Sequence, residues 1–502
     1  RSGDLATSGG NITVQAGGQA DINHVVIESN GGNIQIQGGD LTQHIHSGVY
    51  IHQGSRVDAG TGTVNIVGQS AGTSGVVIQD AVTLGGSQIN LTGVTPVSSA
   101  NGVIMDSAVI TGTGALSITG RATGTSSGHG IALLGTTIQD RNAPITLTGS
   151  TAGDGSGVVI RQSGGTSSAI ANSGSLTITS GGGGVSIESL STLPPVKLAA
   201  NGITIGSTTT NADDVGISNA DIQSTGGDLV VNAVSGGVVM SDSTLKNTGT
   251  GLLKVSAPAS SVALSSTTLS TTSGNILIEG GTLAGASTNQ TAVSIATGSF
   301  TSGGGTIEIK GKASGSGDGI ALAGPLTLSG TNVRLTGETD SPGATGVYLG
   351  AHGTTLTGTG ALNISGSQTG TSGVGIMLDN ASITRTENVS LTGLANTRAD
   401  AGTLLQGSQA RVDAGTAKVS ITGRSSTGPG VKISGDLPPA PGPMPSVIGG
   451  DVSIDGNTSG STALHLERTQ VKASNGLSLV ANGGSLLLQG SEISSSAGAG
   501  AT

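Results

Sequence analysis

The chain is poor in the residues on which most globular proteins depend for their cores. Its 502 residues include no Cys, no Trp, one Phe and two Tyr, and only 10% of them are charged. Without Cys there are no disulfides and no thiolate ligands. With three aromatic side chains, the core has to be built from Val, Ile, Leu and Ala. Gly, by contrast, numbers 91, where average usage predicts roughly 35.

Charge and hydropathy exclude several classes of protein. The 19 Lys and Arg against 29 Asp and Glu give a net charge of −10, and without a basic run we expect no nucleic-acid partner. No apolar run approaches the ~20 residues that cross a bilayer, so we expect no membrane insertion. Gly has no strict period of three and Pro numbers only 13, which excludes collagen. An apolar content of 34% argues against disorder.

A period of about 27 residues runs through the chain. Residues 112–116 (GTGAL) recur at 358–362, and residues 57–61 (VDAGT) recur at 412–416, so the offsets are 246 and 355 residues, or nine and thirteen periods. Each period contains an apolar-x-apolar segment closed by a small residue. Its last apolar residue occurs in 18 copies, at Val14, Ile36, Ile66, Leu91, Ile118, Leu147, Ile178, Ile205, Val231, Val255, Ile278, Ile309, Leu335, Ile364, Leu391, Ile421, Ile454 and Leu479.

Two further segments complete each period. The apolar-x-apolar segment is the first of the period, and a second and a third segment follow it. The third segment is a looser Ser/Ala/Thr-x-apolar piece, such as residues 136–138 and 381–383. Period-two alternation, β-branched residues and Gly, Asn, Ser and Thr between the segments predict three short strands per period. Strands this short are stable only when each stacks on the next copy. The second segment reads Gly-[Val/Ile]-x-[Ile/Leu/Met] and begins at Gly48, Gly75, Gly102, Gly130, Gly157, Gly184, Gly237, Gly319, Gly346, Gly375 and Gly430.

We therefore predict an all-β protein, a right-handed parallel β-helix (β-solenoid) with about 27 residues and three strands per turn and about 18 turns. The handedness follows from the general preference for right-handed parallel crossovers. Residues 1–502 are expected to form a single continuous shaft of repeats, roughly 85 Å long at about 4.8 Å per turn. The longest interval between repeats contains the Pro-rich stretch 436–446, which we interpret as a loop leaving the helix at a corner.

Segments such as residues 112–120 (GTGALSITG) resemble the shaft repeats of filamentous haemagglutinin-like exoproteins, large bacterial adhesins exported by two-partner secretion. The resemblance covers essentially the whole chain. It implies a right-handed parallel β-helix, an extracellular or bacterial cell-surface location, and an outer-membrane transporter for the parent protein. The family's N-terminal secretion domain carries Asn-Pro motifs, and this sequence contains none. We therefore expect an interior segment of a larger protein.

Parallel β-helices also include polysaccharide lyases and hydrolases, which need clustered carboxylates and usually aromatic platforms for sugars. The only adjacent acidic pair is Asp213-Asp214, and a neighbouring Asp in a turn usually caps backbone amides. No segment carries a nucleophile–base constellation. We expect no enzymatic activity and no cofactor, and we keep a β-helical polysaccharide-binding or polysaccharide-degrading protein as the alternative.

Histidines near residue 50 are the main candidates for a metal site. His44 and His46 are predicted on one strand face, with His52 eight residues beyond His44. Cys is absent and carboxylates are few nearby, so the ligand set is incomplete and we predict exposed histidines without a metal. Residues 315–320 (GSGDGI) match a calcium-binding nonapeptide only once, whereas such sites need tandem copies.

Position x of the second segment carries the candidate interaction surface. If the flanking apolar residues point inward, x points outward, yet it is apolar in most turns. β-propensity alone, or a covering loop, would also place Val and Ile there. The alternative is a docking stripe for lateral self-association of shafts, or for a partner lying along the shaft. The predicted stripe comprises Tyr50, Val77, Ile104, Val159, Val239, Tyr348 and Met377.

Together these features predict a non-catalytic structural shaft or filament of a large secreted bacterial surface adhesin. Such a shaft serves cell adhesion, aggregation or biofilm formation, or presents a distal effector. Its expected partners are a host or neighbouring-cell surface or matrix.

Overall fold

The computed structural model describes residues 3–42, 45–207, 214–281, 290–315, 317–350, 354–396, 401–435 and 443–496. The chain divides into two compact units, Arg1–Gly251 and Leu252–Thr502. No helix occurs in the described residues, so none there is long and apolar enough to span a membrane.

Each unit is a right-handed parallel β-solenoid with roughly 27 residues and three strands per turn. Strands of the first, second and third predicted segments form sheet 1, sheet 2 and sheet 3, respectively. Within each unit, every strand pairs in parallel with the corresponding strand of the next turn. Because these strands are too short to be stable alone, stacking on the next turn is what forms each sheet. The predicted fold class is confirmed.

The strands of unit 1 follow the order of the three segments from turn to turn. Sheet 1 contains Ile12–Gln15, Ile34–Gly38, Thr63–Gln69, Gln88–Thr95, Leu116–Ala122, Ile145–Thr151, Leu176–Ser180, Ile203–Ser207 and Leu229–Asn232. Sheet 2 contains Ala20–Asn23, Val49–His52, Val76–Gln79, Val103–Asp106, Ile131–Leu134, Val158–Arg161, Val185–Glu188, Val215–Ser218 and Val238–Ser241. Sheet 3 contains Leu5–Ala6, Val26–Glu28, Arg56–Asp58, Thr83–Gly85, Val109–Ile110, Thr137–Ile138, Ala169–Ala171, Val196–Ala200, Ala220–Ser224 and Thr244–Asn247.

The strands of unit 2 repeat the same order. Sheet 1 contains Leu253–Ala257, Ile276–Gly281, Thr306–Ala313, Asn332–Thr339, Ala361–Gln368, Val389–Ala395, Val419–Ser425, Val452–Thr458 and Leu477–Asn482. Sheet 2 contains Val262–Ser265, Val293–Ile295, Ile320–Leu322, Thr345–Leu349, Val374–Asp379, Ala401–Gln406, Val431–Ser434, Thr462–Glu467 and Ser485–Gln489. Sheet 3 contains Thr267–Thr271, Gly298–Ser302, Leu326–Ser329, Thr355–Thr357, Ser382–Thr384, Arg411–Asp413, Ser446–Gly449, Gln470–Ala473 and Glu492–Ser495.

The core of each unit consists of aliphatic ladders. All 18 residues followed through the first segment lie in sheet 1, and within each unit each one pairs with the next in register. Sixteen of them are buried, and Val14 and Leu479 are half-buried. Each buried side chain contributes roughly 1.5–3 kcal/mol through the hydrophobic effect. The predicted period and register are confirmed.

The strands of sheet 1 are longer than the apolar-x-apolar segments from which they were predicted. Several strands continue past the small residue that closes the segment, and Thr306–Ala313 reaches eight residues. At this small residue, sheet 1 and the start of sheet 2 approach each other backbone to backbone. A Cβ on Gly120 would lie 1.9 Å from the carbonyl oxygen of Gly130. The glycine is therefore required by the contact between the two sheets.

Polar side chains accept hydrogen bonds from backbone amides at the corner before each of several strands of sheet 2. Ser74 Oγ accepts the amide of Asn101 at 3.1 Å, and Asn101 Oδ1 accepts the amide of His129 at 2.9 Å. His129 Nδ1 in turn accepts the amide of Ser156 at 3.0 Å. Each of these side chains caps an amide of the next turn, so this ladder of hydrogen bonds holds successive corners together.

A buried arginine braces the corner between sheet 3 and sheet 1 in unit 1. Arg141 is 0% exposed. Its Nε donates to the carbonyl of Gly114 at 2.7 Å and its Nη2 to that of Gly86 at 3.0 Å, while Nη1 donates to the carbonyl of Thr111. The guanidinium therefore satisfies carbonyls of two preceding turns, including the GTG corner at residues 112–114. Burial lowers the pKa of Arg141.

Arg385 occupies the matching corner of unit 2 with fewer partners. Its Nη1 donates to the carbonyls of Leu328 and Thr359 at 2.7 and 2.9 Å. Thr359 belongs to the second GTG corner, so the long-range sequence repeat includes the arginine that follows it one turn later. Among the described residues, Nε and Nη2 have no hydrogen-bond partner. Burial lowers the pKa of Arg385 to about 10.

The other long-range repeat, VDAGT, forms the same turn in both units. Asp58 Oδ1 accepts the amide of Gly60 at 2.8 Å, and Asp413 Oδ1 accepts that of Gly415 at 2.9 Å. The two glycines have φ values of +62° and +61°, which Gly adopts without steric cost. An Arg precedes each copy and pairs with the same Asp. The two copies therefore share the same residues because both form the same turn.

The Pro-rich loop is only partly within the described structure. Residues 436–442 lie outside the described residues, and Ser446 already begins strand Ser446–Gly449. The carbonyl of Pro445 accepts the amide of Gln470 at 2.9 Å. The C-terminal end of the Pro-rich stretch therefore already stacks on the next turn.

Candidate functional site

The predicted stripe lies on the outer face of sheet 2. In unit 1, Tyr50 pairs with Val77 and Val77 with Ile104 in consecutive turns. In unit 2, Tyr348 pairs with Met377. The flanking residues point inward, since Val76 and Ile78 are both 0% exposed. Sheet 2 therefore alternates as expected, with position x on the outer face.

The stripe is not uniformly exposed. Val239 is 53% exposed, whereas Val159 is only 2% exposed. The remaining five members are half-buried: Tyr50, Val77, Ile104, Tyr348 and Met377. Most side chains of the stripe thus expose only part of their apolar surface to solvent, and Val159 contributes little.

Small residues interrupt this row between Val159 and Val239. Ser186 and Gly216 occupy position x there, and no atom lies within 4 Å of where a Cβ on Gly216 would be. They line a surface cavity of about 400 Å³ together with Asp214. Asp214 Oδ1 accepts the amide of Gly237 at 2.6 Å, so this carboxylate caps a corner. Its neighbour Asp213 lies outside the described residues.

Tyr50 lies along the surface of the sheet. Its ring stacks on His52, with centroids 4.0 Å apart and planes 7° from parallel. Gln79 Nε2 of the next turn donates to its hydroxyl at 2.7 Å, and Asp21 Oδ1 of the preceding turn lies 3.0 Å from His52 Nε2. Because three consecutive turns hold these side chains, Tyr50 is a preorganised part of the surface.

Tyr348 adopts the matching arrangement in unit 2. Its ring lies over Gly350, where a Cβ would be 2.2 Å from the Tyr348 hydroxyl. The side chain of Asp379, one turn on, hydrogen-bonds that hydroxyl. Burial, followed by the charges of Asp379 and Asp318, raises the pKa of Tyr348. Both tyrosines are therefore fixed by the residue two positions on and by the next turn.

The stripe in unit 2 ends in a polar region. Met377 packs against a small cluster of Val374, Ala401 and Leu404. Lys432 and then His465 follow Leu404 at position x. Burial and the neighbouring Lys432 lower the pKa of His465. The apolar part of this row therefore ends at Leu404.

A second feature, missed in the sequence, lies on the outer face of sheet 1 in unit 2. Three ion pairs connect its side chains: Lys254–Glu279 at 3.4 Å, Glu308–Lys310 at 3.1 Å and Lys312–Glu338 at 3.7 Å. Reading outward positions of sheet 1 from turn to turn would have found it. We call it the charged patch, and it comprises Lys254, Glu279, Glu308, Lys310, Lys312, Arg334 and Glu338.

The histidines do not form the predicted strand face. Ile45 and His46 lie in the connection between Ile34–Gly38 and Val49–His52, and His44 lies outside the described residues. His52 is 7% exposed, so the expectation of an exposed side chain is wrong for it. In the part of the chain that the structure describes, no group of three or more His, Asp or Glu side chains is placed to hold a metal ion.

Comparison with known proteins adds no family assignment, because no protein-family model matches the chain and no curated protein matches its sequence significantly.

Proposed function

We propose that this chain is a non-catalytic structural shaft or filament of a large secreted bacterial surface adhesin. The observation that carries the proposal is the repetition of one turn through both units. Aliphatic ladders fill the interior, and outward positions of sheet 1 are mostly Ser, Thr and Asn. Each added turn extends the solenoid by about 4.8 Å. The repeated turns therefore build length and not a single concave site.

In this proposal the shaft lies outside the cell and is exported through an outer-membrane transporter as part of a larger protein. Its partners are a host or neighbouring-cell surface or matrix. The resemblance of segments such as 112–120 to haemagglutinin-like shaft repeats supports this placement. Antibodies against the chain should label intact bacteria that express the parent gene with its transporter. Labelling only after lysis would contradict the proposal.

Electron microscopy tests the shaft directly. If residues 1–502 form one continuous shaft, as we propose, the purified chain should appear as a single rod of roughly 85 Å, the length of about 18 turns at ~4.8 Å. Particles with two separately oriented bodies would contradict a continuous shaft over residues 1–502.

The alternative, a polysaccharide-binding or polysaccharide-degrading β-helix, is tested by incubation with acidic and neutral polysaccharides. We expect no new reducing ends and no unsaturated products. Release of either would overturn the non-catalytic proposal.

The stripe on sheet 2 is proposed as a surface for lateral association of shafts. Half-buried Val77 and Ile104 lie on neighbouring turns, so Val77→Lys with Ile104→Lys places two charges on it without disturbing the core. Asn65→Lys with Asn90→Lys is the matched control, because these residues face outward on sheet 1 in the same two turns.

Light scattering and microscopy should show less bundling for the Val77/Ile104 variant only, with circular dichroism unchanged for both variants. Equal bundling of the two variants would remove the stripe from the proposal.

A further inference from the structure

The charged patch is not required by the solenoid. Four consecutive strands of sheet 1, from Leu253–Ala257 to Asn332–Thr339, place all seven of its residues outward. The corresponding positions in unit 1 carry Ser, Thr, Asn, Gln, Val and Gly, and Arg121 is the one charged residue among them in the described strands. Since unit 1 builds the same sheet without these charges, the patch calls for an explanation outside the fold.

The charges occupy an ordered lattice, because the turns pair in register. In one column, Glu308 is followed one turn later by Arg334. Four residues further along the same two strands, Lys312 is followed by Glu338. The four charges therefore alternate in both directions. Between the two columns, Lys310 is followed by the neutral Thr336.

This pattern is complementary to itself. Consider a second copy turned over about a two-fold axis that runs parallel to the strands, between the turns of Lys310 and Thr336. The strand of Lys310 in each copy then lies against the strand of Thr336 in the other copy. Glu308 then faces Arg334 of the second copy, and Lys312 faces its Glu338. The axis repeats each pair, which gives four attractive contacts. Lys310 faces the neutral Thr336 of the second copy.

We propose that the charged patch docks a second copy of this chain face to face, with the two unit 2 solenoids antiparallel. A parallel arrangement fits less well. An axis along the central column would place Lys310 against Lys310 and Glu279 against Glu279 of the second copy. Like charges in direct opposition are unfavourable.

Shape supports the antiparallel arrangement. A surface cavity of about 600 Å³ lies within the patch, lined by residues that include Pro258, Gly281 and Lys312. The same axis that pairs the charges brings Leu394 of the second copy over Pro258. Leu394 is 39% exposed, which is unusual for a large apolar side chain on this sheet. An exposed Leu thus faces an apolar-edged cavity.

The available area is sufficient for a dimer. Six strands of sheet 1, from Leu253–Ala257 to Val389–Ala395, face one another across the axis. With strands of about seven residues at ~3.3 Å and a spacing of about 4.8 Å, each copy presents roughly 700 Å². Standard interfaces bury about 600–1,000 Å² per partner, a range that includes this area. The partly exposed charges make the contact sensitive to salt.

Charge reversal provides the test. Glu308→Arg places the introduced guanidinium against Arg334 of the second copy, and Arg334→Glu places the introduced carboxylate against Glu308. Each variant alone should dimerise about tenfold more weakly than the natural chain, because two attractive pairs become repulsive. An equimolar mixture should recover dimerisation, because both of these contacts in the heterodimer pair a guanidinium of the first variant with a carboxylate of the second.

Sedimentation velocity of the full chain over a range of concentrations, at low salt and at about 1 M salt, measures each case. If dimerisation recovers in the mixture, a folding defect cannot explain the weak dimers of the separate variants. Mixing leaves the fold of each variant unchanged and can restore association only through contact between the two variants. Leu394→Ser should also weaken the dimer, whereas Asn65→Lys with Asn90→Lys, outward on sheet 1 of unit 1, should not. A natural chain that stays monomeric, or a mixture that associates no better than its components, would overturn the proposal.

Discussion

Replacing each of the two buried arginines with Met separates two effects of a buried guanidinium. One is the hydrogen bonds that it donates to backbone carbonyls, and the other is the cost of burying its charge. Arg141 and Arg385 occupy matching corners, but Arg141 donates from three nitrogens and Arg385 from one. Arg141→Met leaves three carbonyls without their donor, and each unsatisfied buried carbonyl costs about 1 kcal/mol or more. These lost hydrogen bonds cost about 3 kcal/mol. The net loss in the free energy of unfolding is smaller than this, because Met also removes the buried charge that lowers the pKa of Arg141.

Arg385→Met is expected to be close to neutral. Two carbonyls lose a donor, at about 1 kcal/mol each. Against this, burial lowers the pKa of Arg385 to about 10, which corresponds to about 3 kcal/mol of unfavourable charge burial that Met does not incur. The net change is within about 1 kcal/mol of zero. Arg141→Met is thus expected to cost more than Arg385→Met by about 1 kcal/mol or more, because it leaves more carbonyls without a donor.

Urea denaturation followed by far-ultraviolet circular dichroism measures both variants against the natural chain. Arg121→Met serves as the control, because Arg121 is exposed on sheet 1 and such changes alter stability by no more than about 0.5 kcal/mol. Equal losses for Arg141→Met and Arg385→Met, or a larger loss for Arg385→Met, would refute the reasoning from hydrogen-bond satisfaction.

Three further predictions concern single positions. Ile118→Asp puts a charge at a 0% exposed position and should cost several kcal/mol, whereas the outward Ser117→Asp should leave the urea midpoint almost unchanged. Burial and Arg161 hold the pKa of His129 below 6.5, so the unfolded chain takes up the proton first and stability falls as pH drops below that value; His129→Asn should remove this slope in urea midpoints measured against pH. Burial raises the pKa of Asp318 above 3.8, so its charge destabilises the folded chain at neutral pH. Asp318→Asn should raise the thermal midpoint there, and an unchanged or lower midpoint would contradict this.

The ladders could be predicted from the sequence because alternation places every second residue inside and the pattern repeats in each turn. Ile36, Ile66 and Leu91 were placed in register by that rule alone. The same rule located the outward row of sheet 2. It did not give the burial of Val159, because exposure of an outward side chain depends on what surrounds it beyond its own strand.

The buried arginines could not be predicted in this way. A single Arg in a corner is typical of an exposed position, since charged side chains are rarely buried. The carbonyl that Arg141 Nη2 reaches belongs to Gly86, 55 residues earlier. Only the stacking of corners brings these groups together. The charged patch, by contrast, was within reach of the sequence, because Glu308 and Arg334 fall in one outward column once the turns are aligned.

The direction of the hydrogen bonds has a mechanical consequence. In all three sheets they join a strand to the same strand of the next turn, so they lie along the stacking axis of each unit. Tension along that axis loads the outermost turn first and releases it before the next turn carries the force. Each released turn supplies about 27 residues, or roughly 90 Å of extended chain, in place of about 4.8 Å when stacked. A tether built in this way lengthens stepwise and dissipates work while the turns behind it stay folded.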